Sequence, residues 1–570
     1  MMPEPAANPV FRTAYRSLAG LALLLSIACL QLPAQDAPSR PARAEYRGAA
    51  AASGLYRIAG TVVNSATGEP VRRATVAILA EADSHTVESV ASDSEGRFAL
   101  ERLPAGKYQL TASKRGFRTA FYDEHEEFST AIVTGPDLNA NLDTGHLTFR
   151  LTPAAVLRGV VSTDGGDPVE GARVMIFEQP RRDRPGVHIL QVDAVNTDDT
   201  GAYEFPNLAA GSYLLAVTAE PWYALHSGSG ARRKQANEDS TALDVAYPVT
   251  YYDSTTDEAS ATPVVLTGGS REEADINLHA VPALRLSIAT PRKADGSVAR
   301  PELRQSIFGA QIATDSAGSL DALRSGTTEF NGVAPGRYEL TQGDPPRVVD
   351  LDATASQQVD PDAGTPTFTV AGTLRGDSGS TVRDELNLTL DMVDGGHGQS
   401  QFVVAAHKGR FSFDAVPPGS WLLGAESGGK LLPVISIASG GAVHQGNLLT
   451  VRDRPLSLAV TVSEGATRIE GFARKDGKGF AGAMVVLAPK DAATWQALTR
   501  RDQSDSDGSF ALRDIAPGQY TVVAIQDGWE LDWSRPEALG RYLQGGTAIT
   551  VTGRSGDVVR LTQAVTVQPR

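Results

Sequence analysis

Apolar and polar residues alternate in short runs along most of this chain, and the runs come in pairs. Phe98 and Leu100, Tyr203 and Phe205, Phe411 and Phe413, and Phe510 and Leu512 are each spaced as on the buried face of a strand. A second alternating run follows each: Tyr108 to Ala112, Tyr213 to Val217 and Tyr520 to Ala524. Between the runs lies a short connection, Ala105-Gly106, Pro335-Gly336, Pro418-Gly419 or Pro517-Gly518. There Pro presets φ, and the glycine is expected to supply the positive φ of a tight turn. Two glycines recur at one fixed offset: Gly96/Gly106, Gly201/Gly211, Gly326/Gly336, Gly409/Gly419 and Gly508/Gly518. A fixed offset with drifting residues between is what duplicated structural units leave behind.

A further strand pair precedes the signature in several units. Ile58-Ala59-Gly60-Thr61-Val62 leads through Pro70-Val71 to Ala74-Thr75-Val76-Ala77-Ile78, and Leu157-Arg158-Gly159-Val160-Val161 leads through Pro168-Val169 to Ala172-Arg173-Val174-Met175-Ile176. Ile469-Glu470-Gly471 opens the last unit and Val370-Ala371-Gly372 the fourth, while the stretch from Leu284 to Ala310 keeps the least of the pattern. A single sheet would leave its apolar face wet, so two antiparallel sheets must pack face to face in each unit. The chain therefore reads as all-β, a tandem array of about five β-sandwich modules.

Φ-x-Gly-x-Val, Pro-Val-x-x-Ala-x-Val, Asp-x-x-Gly-x-Phe and Pro-Gly-x-Tyr together resemble the carboxypeptidase regulatory-like domain. The resemblance extends over nearly all of the chain beyond Leu55 and is strongest in the first, second and last units. It implies a transthyretin-like, prealbumin-type (Ig-like) sandwich, grouped with carbohydrate-binding-like folds, and no peptidase activity of its own. The expected boundaries are sandwiches at 54–152, 153–281 (with insertions), 282–362 (degenerate), 363–464 and 465–570. Because the units run almost directly into one another, they are expected to behave as beads on a string, a semi-rigid rod.

Ahead of them, Arg12 and Arg16 precede an apolar run from Leu18 to Leu32, then Pro33-Ala34-Gln35. This is the pattern of a secretory signal peptide, 1–34, cleaved after Ala34. Residues 35–53, rich in Pro, Ala and Arg, read as a disordered linker. The one cysteine, Cys29, falls within the signal peptide, so the mature chain is expected to lack disulfides; its use as a lipidated residue is disfavoured by Ser26. No further apolar stretch is long enough to span a bilayer, so the mature chain is expected to be periplasmic, cell-surface or extracellular. With 52 basic against 67 acidic residues, net charge −15, nucleic acid is an unsuitable partner. The basic clusters Arg181-Arg182-Asp183-Arg184 and Arg232-Arg233-Lys234 read as solvated loops.

The search for chemistry yields little. His85-Thr86-Val87-Glu88 has the His-x-x-Glu spacing of zinc carboxypeptidases, but it sits inside a sandwich unit with no third ligand implied. Asp93, Asp198, Asp199, Asp505 and Asp507 precede the signature glycines. Gln503 to Asp514 faintly resembles a calcium loop, but turn-capping explains Asp in every unit. No nucleophile elbow is present, and Ser227-Gly228-Ser229-Gly230 is a loop. Arg57, Arg158 and Arg468 occupy the strand position that a Lys–Asn cross-link would require of a Lys. The expectation is a protein without catalytic residues, metal or cofactor. What remains is two aromatic groups, Trp222, Tyr223, Tyr251 and Tyr252 in the second unit and Trp529 and Trp533 in the last, the latter beside a helical turn from Arg535 to Tyr542. Flat rings on exposed loops stack on sugars or peptide prolines, so these six are the candidate ligand-binding residues. They suggest an envelope scaffold that binds carbohydrate or protein; a purely structural spacer or adhesin and a metallocarboxypeptidase accessory are the competing readings.

Overall fold

The computed structural model describes residues 56–570 apart from 81–85, 136–143, 180–188, 225–242, 291–300, 314–325, 344–345, 361–363, 377–385, 394–400, 428–429, 441, 446, 464–466, 534 and 553–557. The expected signal peptide and linker, Cys29, His85, both basic clusters and Ser227 to Gly230 lie outside these residues.

Strands pair into small sheets that face one another along the chain as tandem β-sandwiches. In the first, Tyr56–Asn64 lies between Arg97–Leu103 and Leu147–Leu151, and faces a sheet in which Thr75–Ala80 lies between Thr86–Ala91 and Gly106–Ser113. Alternation drives this arrangement: Phe98 and Leu100 from one sheet and Tyr108, Leu110 and Ala112 from the other are buried in one core. Burying each such large side chain contributes roughly 1.5–3 kcal/mol. Equivalent cores lie within residues 155–278, 286–359, 370–462 and 469–567. The stretch that looks most degraded in sequence keeps the architecture: Leu284–Ala289 and Glu302–Ile307 enter opposite sheets of the third sandwich.

The sheets are not wholly antiparallel. The opening strand of each sandwich pairs parallel with a closing strand, as in Gly60↔Leu147 and Gly372↔Leu458. Parallel first and last strands carry the chain out at the end opposite its entry, which suits a tandem array. This pairing also explains the opening glycine. A Cβ on Gly60 would lie 2.2 Å from the Leu147 carbonyl oxygen, and one on Gly159 2.1 Å from that of Ala274.

The two signature glycines have different roles, and the expected tight-turn role belongs to the first. Gly96, Gly201, Gly326, Gly409 and Gly508 have φ between 68° and 84°. The second left-handed position is four residues before the other glycine, at Arg102, Asn207, Gly332, Ala415 and Asp514. In the first sandwich it forms a bulge: Tyr56 pairs Leu103 while Ile58 pairs Leu100. The second glycine makes room for an aromatic ring. Tyr108, Tyr213, Tyr338 and Tyr520 each donate their hydroxyl to the carbonyl four residues earlier, and Trp421 does so through Nε1, at 2.8–3.2 Å. A Cβ on Gly518 would meet the Tyr520 ring at 3.1 Å. Burial pushes the Tyr520 phenol up to about 12, so it stays a donor at physiological pH.

A buried hydroxyl clamps the first, second and last sandwiches in the same way. Ser92, Thr197 and Ser504 each donate to a backbone carbonyl (Val71, Val169, Phe480) and accept from an amide (Ala74, Ala172, Ala483).

Independent beads on a string are not what forms. Residues 52–570 make one compact unit, in which sandwiches pack on each other. Met175, Phe177, Leu214, Ala216, Val249 and Tyr251 of the second share a core with Ile307 and Phe308 of the third. The cause lies in the second sandwich's strands, Arg173–Glu178 and Gly211–Thr218, which are apolar on both faces and bury both.

Candidate functional site: the aromatic groups and the contact of first and last sandwiches

The six aromatic candidates separate sharply. Trp222 follows the strand Gly211–Thr218 and is 92% exposed, with Tyr223 edge-on to it at 5.7 Å. Tyr223 is half-buried and hydrogen-bonded to Tyr247, whose phenol is pushed up to about 12, chiefly by burial. Tyr251 is not a surface ring: it is 4% exposed, edge-on to Phe308 of the third sandwich at 5.0 Å, and its hydroxyl donates to Glu258 Oε2 at 3.1 Å. The Phe308 N–H donates to the same oxygen at 2.9 Å, so Glu258 ties the ring to the neighbouring sandwich. Tyr252 is half-buried against the second core. Trp529 and Trp533 also fail as exposed rings. They precede the helix Pro536–Leu543 and pack, with Trp495, Leu539 and Tyr542, on the outer face of the fifth sandwich.

What covers Trp529 is the first sandwich. His125 stacks on its ring at 5.2 Å with 10° between planes, and Phe128 tilts against it at 5.5 Å. Arg501 lies at the centre of this contact, its side chain 6% exposed and its guanidinium 3.9 Å from the Trp533 ring centroid. Its Nη2 meets Glu126 at 2.8 Å and Glu127 at 3.3 Å, both on the first sandwich. Next to it, Gln503 donates to the Asp123 carbonyl and to Thr130 Oγ1, and its Oε1 accepts from His125 Nδ1 at 3.1 Å. Ala131 and Ser506 then join the backbones: the Ser506 N–H donates to the Ala131 carbonyl at 3.0 Å, and the Val133 N–H to Ser506 Oγ at 2.9 Å.

Asp505 shows how a repeat position was redirected to this contact. In the first two units the aspartate three residues before the signature glycine caps its own turn. Asp93 Oδ1 accepts from Glu95 and Arg97 amides, and Asp198 Oδ1 from those of Thr200 and Ala202, at 2.7–3.0 Å. Asp505 keeps the same backbone turn, with its N–H bonded to the Ser509 carbonyl at 2.8 Å. Its carboxylate, however, is buried, accepts from the Ala131 N–H at 3.0 Å and pairs with Lys107 of the first sandwich. Asp507 caps the turn instead, accepting from the Ser509 N–H at 2.8 Å. The expected turn-capping role is therefore corrected for Asp505, whose oxygens are committed to an ammonium, a hydroxyl and an amide. Beside them, burial pushes the Asp502 carboxyl up to about 7; the Asp505 charge adds to this, while the Ala511 and Gln503 amides and Lys107 oppose it.

The sequence offered no cue to this contact, since its hydrogen-bonded partners are 373–380 residues apart. Elsewhere, a cavity of about 200 Å³ lies between the third and fourth sandwiches, lined by Glu302, Arg304, Glu339, Phe402 and Asp414 among others. It is smaller than ordinary small-molecule pockets, about 300–1,000 Å³. No described helix is long and apolar enough to cross a membrane.

Among solved structures, the chain is similar to the Bacillus anthracis TIE protein (8% identity, 92% of this chain and 76% of that one, TM-score 0.16). It is also similar to the minor pilin of Streptococcus agalactiae (13%, 36% and 98%, TM-score 0.19). A third likeness is to two B repeat units of the collagen binding protein of Staphylococcus aureus (10%, 72% and 100%, TM-score 0.12). At these TM-scores the likenesses carry no argument about function. A comparison with curated protein sequences finds no match. Family-level comparison is more specific, and it falls on the two units in which the opening glycine, the hydroxyl clamp and the Asp-capped turn all occur. The chain carries at least two carboxypeptidase regulatory-like domains, over residues 57–143 and 156–235.

Proposed function

We propose that the chain is an exported, non-enzymatic binding and scaffold protein of the cell envelope, which recognises a carbohydrate or protein surface through the second sandwich. The observation that carries this reading is Trp222, an indole 92% exposed where the four other tryptophans are buried or half-buried. An indole kept in water contributes nothing to folding, whereas its face stacks well on a pyranose or a proline ring. The repeat's recurring polar groups support the non-enzymatic part. The corner hydroxyls, the Ser/Thr clamps and the turn aspartates are each occupied by backbone or by a neighbouring sandwich.

The test is retention of residues 35–570 on a panel of glycans and envelope extracts, with Trp222→Ala as the matched variant. The reading requires saturable binding that Trp222→Ala weakens at least tenfold, with unchanged thermal unfolding. Binding indifferent to Trp222 refutes the assigned surface. A second reading, a structural spacer with no sugar ligand, is favoured by the use of Tyr251 and Trp529 as packing residues between sandwiches. No retention on any glycan or envelope component supports it.

A further inference from the structure

The contact between the first and fifth sandwiches joins two different surfaces. One, within residues 107–133, presents Lys107, His125, Glu126, Phe128 and the Ala131 backbone; the other, within residues 501–533, presents Arg501, Gln503, Asp505, Ser506 and the Trp529 ring. The first surface supplies both charges that the fifth lacks: a cation for Asp505 and carboxylates for Arg501. Neither surface is needed for the core beneath it. The buried residues that fill the first core and the main fifth core come from those sandwiches alone. Opening the contact therefore leaves each sandwich folded and both surfaces free on one chain.

We infer that the partner for each exposed surface is a second copy of this chain: the first sandwich of one copy docks on the fifth sandwich of another, replacing the internal contact with the same contact in trans. Because the two surfaces differ, the interaction is head-to-tail, and it either closes on itself as a reciprocal dimer or extends as an open chain. Within one chain the two surfaces are held together by intervening sandwiches that belong to the same compact unit. The internal contact thus dominates in dilute solution, and exchange grows where copies are crowded, as on a cell surface.

The Ser506 N–H to Ala131 carbonyl bond, 3.0 Å, joins the two backbones directly, so cysteines at these two positions report the contact. The test uses the full chain with Cys29→Ser, carrying Ala131→Cys in one tagged preparation and Ser506→Cys in a second, differently tagged one. The two are mixed over a hundredfold range of concentration, held for hours, diluted and oxidised. Chains with both cysteines report the internal contact. The inference requires disulfide within doubly substituted chains when dilute, and interchain disulfide between single variants that rises at least tenfold across the range and is abolished by Asp505→Ala. Two outcomes overturn it: no intrachain disulfide in the double variant, or interchain product from single variants no greater than from a pair of exposed control cysteines, Thr67→Cys and Lys478→Cys, at every concentration.

Discussion

Replacing Asp505 by alanine isolates the contact of first and last sandwiches from the fold of either. The substitution removes the partner of Lys107, whose side chain is 25% exposed, and leaves the buried Ala131 N–H without its acceptor. Breaking one side of a buried ion pair costs about 3–5 kcal/mol, and partial exposure of Lys107 moves this toward the lower end. An unsatisfied buried amide costs about 1–3 kcal/mol, and the two losses overlap because one carboxylate serves both groups. A net loss of about 3 kcal/mol is expected. The turn itself survives, since the Asp505 N–H to Ser509 bond and the Gly508 N–H to Asp505 carbonyl bond are backbone only. The repeat supplies its own control. Asp93→Ala removes two bonds at an exposed turn and is expected to cost about 1 kcal/mol or less. Hydrogen exchange read at the Ala131 and Val133 amides is the assay. A loss of about 3 kcal/mol accelerates exchange there by roughly a hundredfold in Asp505→Ala. Asp93→Ala should leave these two amides unchanged. Equal protection of Ala131 in both variants would refute the role assigned to Asp505.

Two other predictions follow from single groups. Tyr520→Phe leaves the buried Ala516 carbonyl without its donor and should lower stability by about 1–2 kcal/mol in denaturant titration, with no effect on the amides of the first sandwich. Asp502 has a carboxyl raised to about 7 in the fold, so its protonated form is the favoured one. The stability it contributes is fully present below about pH 4 and is lost as pH rises through 7. Asp502→Asn should flatten that decline, seen as a smaller fall in the unfolding midpoint between pH 4 and 8; an unchanged slope would show that the group does not titrate as described.

The repeat was legible in sequence because each signature residue acts within its own unit. The paired glycines, the aromatic after the second one and the alternating runs specify a turn, a corner and two strands through contacts only a few residues apart. Less was legible where the cue depends on distant groups. The left-handed residue before the second glycine is Asn, Gly or Asp in three units but Arg and Ala in the others, so composition conceals a position that geometry repeats. The parallel closing strands are short, and some carry almost no apolar pattern, as Arg271–Glu273 and Gln357–Val359 do, so nothing local says which neighbour they join. The aromatic candidates divided for a related reason. A ring on a loop looks the same in sequence whether it faces water, as Trp222 does, or an adjoining sandwich, as Tyr251 and Trp529 do. Asp505 is the sharpest case, because it occupies the turn-capping position of Asp93 and Asp198, yet its carboxylate serves a partner 374 residues away.

The central claim is that the first and fifth sandwiches of one chain are docked, and pulsed electron spin resonance tests it most directly. Spin labels at exposed Thr67 and Lys478, each replaced by cysteine in a Cys29→Ser background, report the distance between those two sandwiches in dilute protein. The account predicts one narrow distribution that broadens and lengthens with Asp505→Ala. A broad distribution that is the same with and without the Asp505 carboxylate would contradict it.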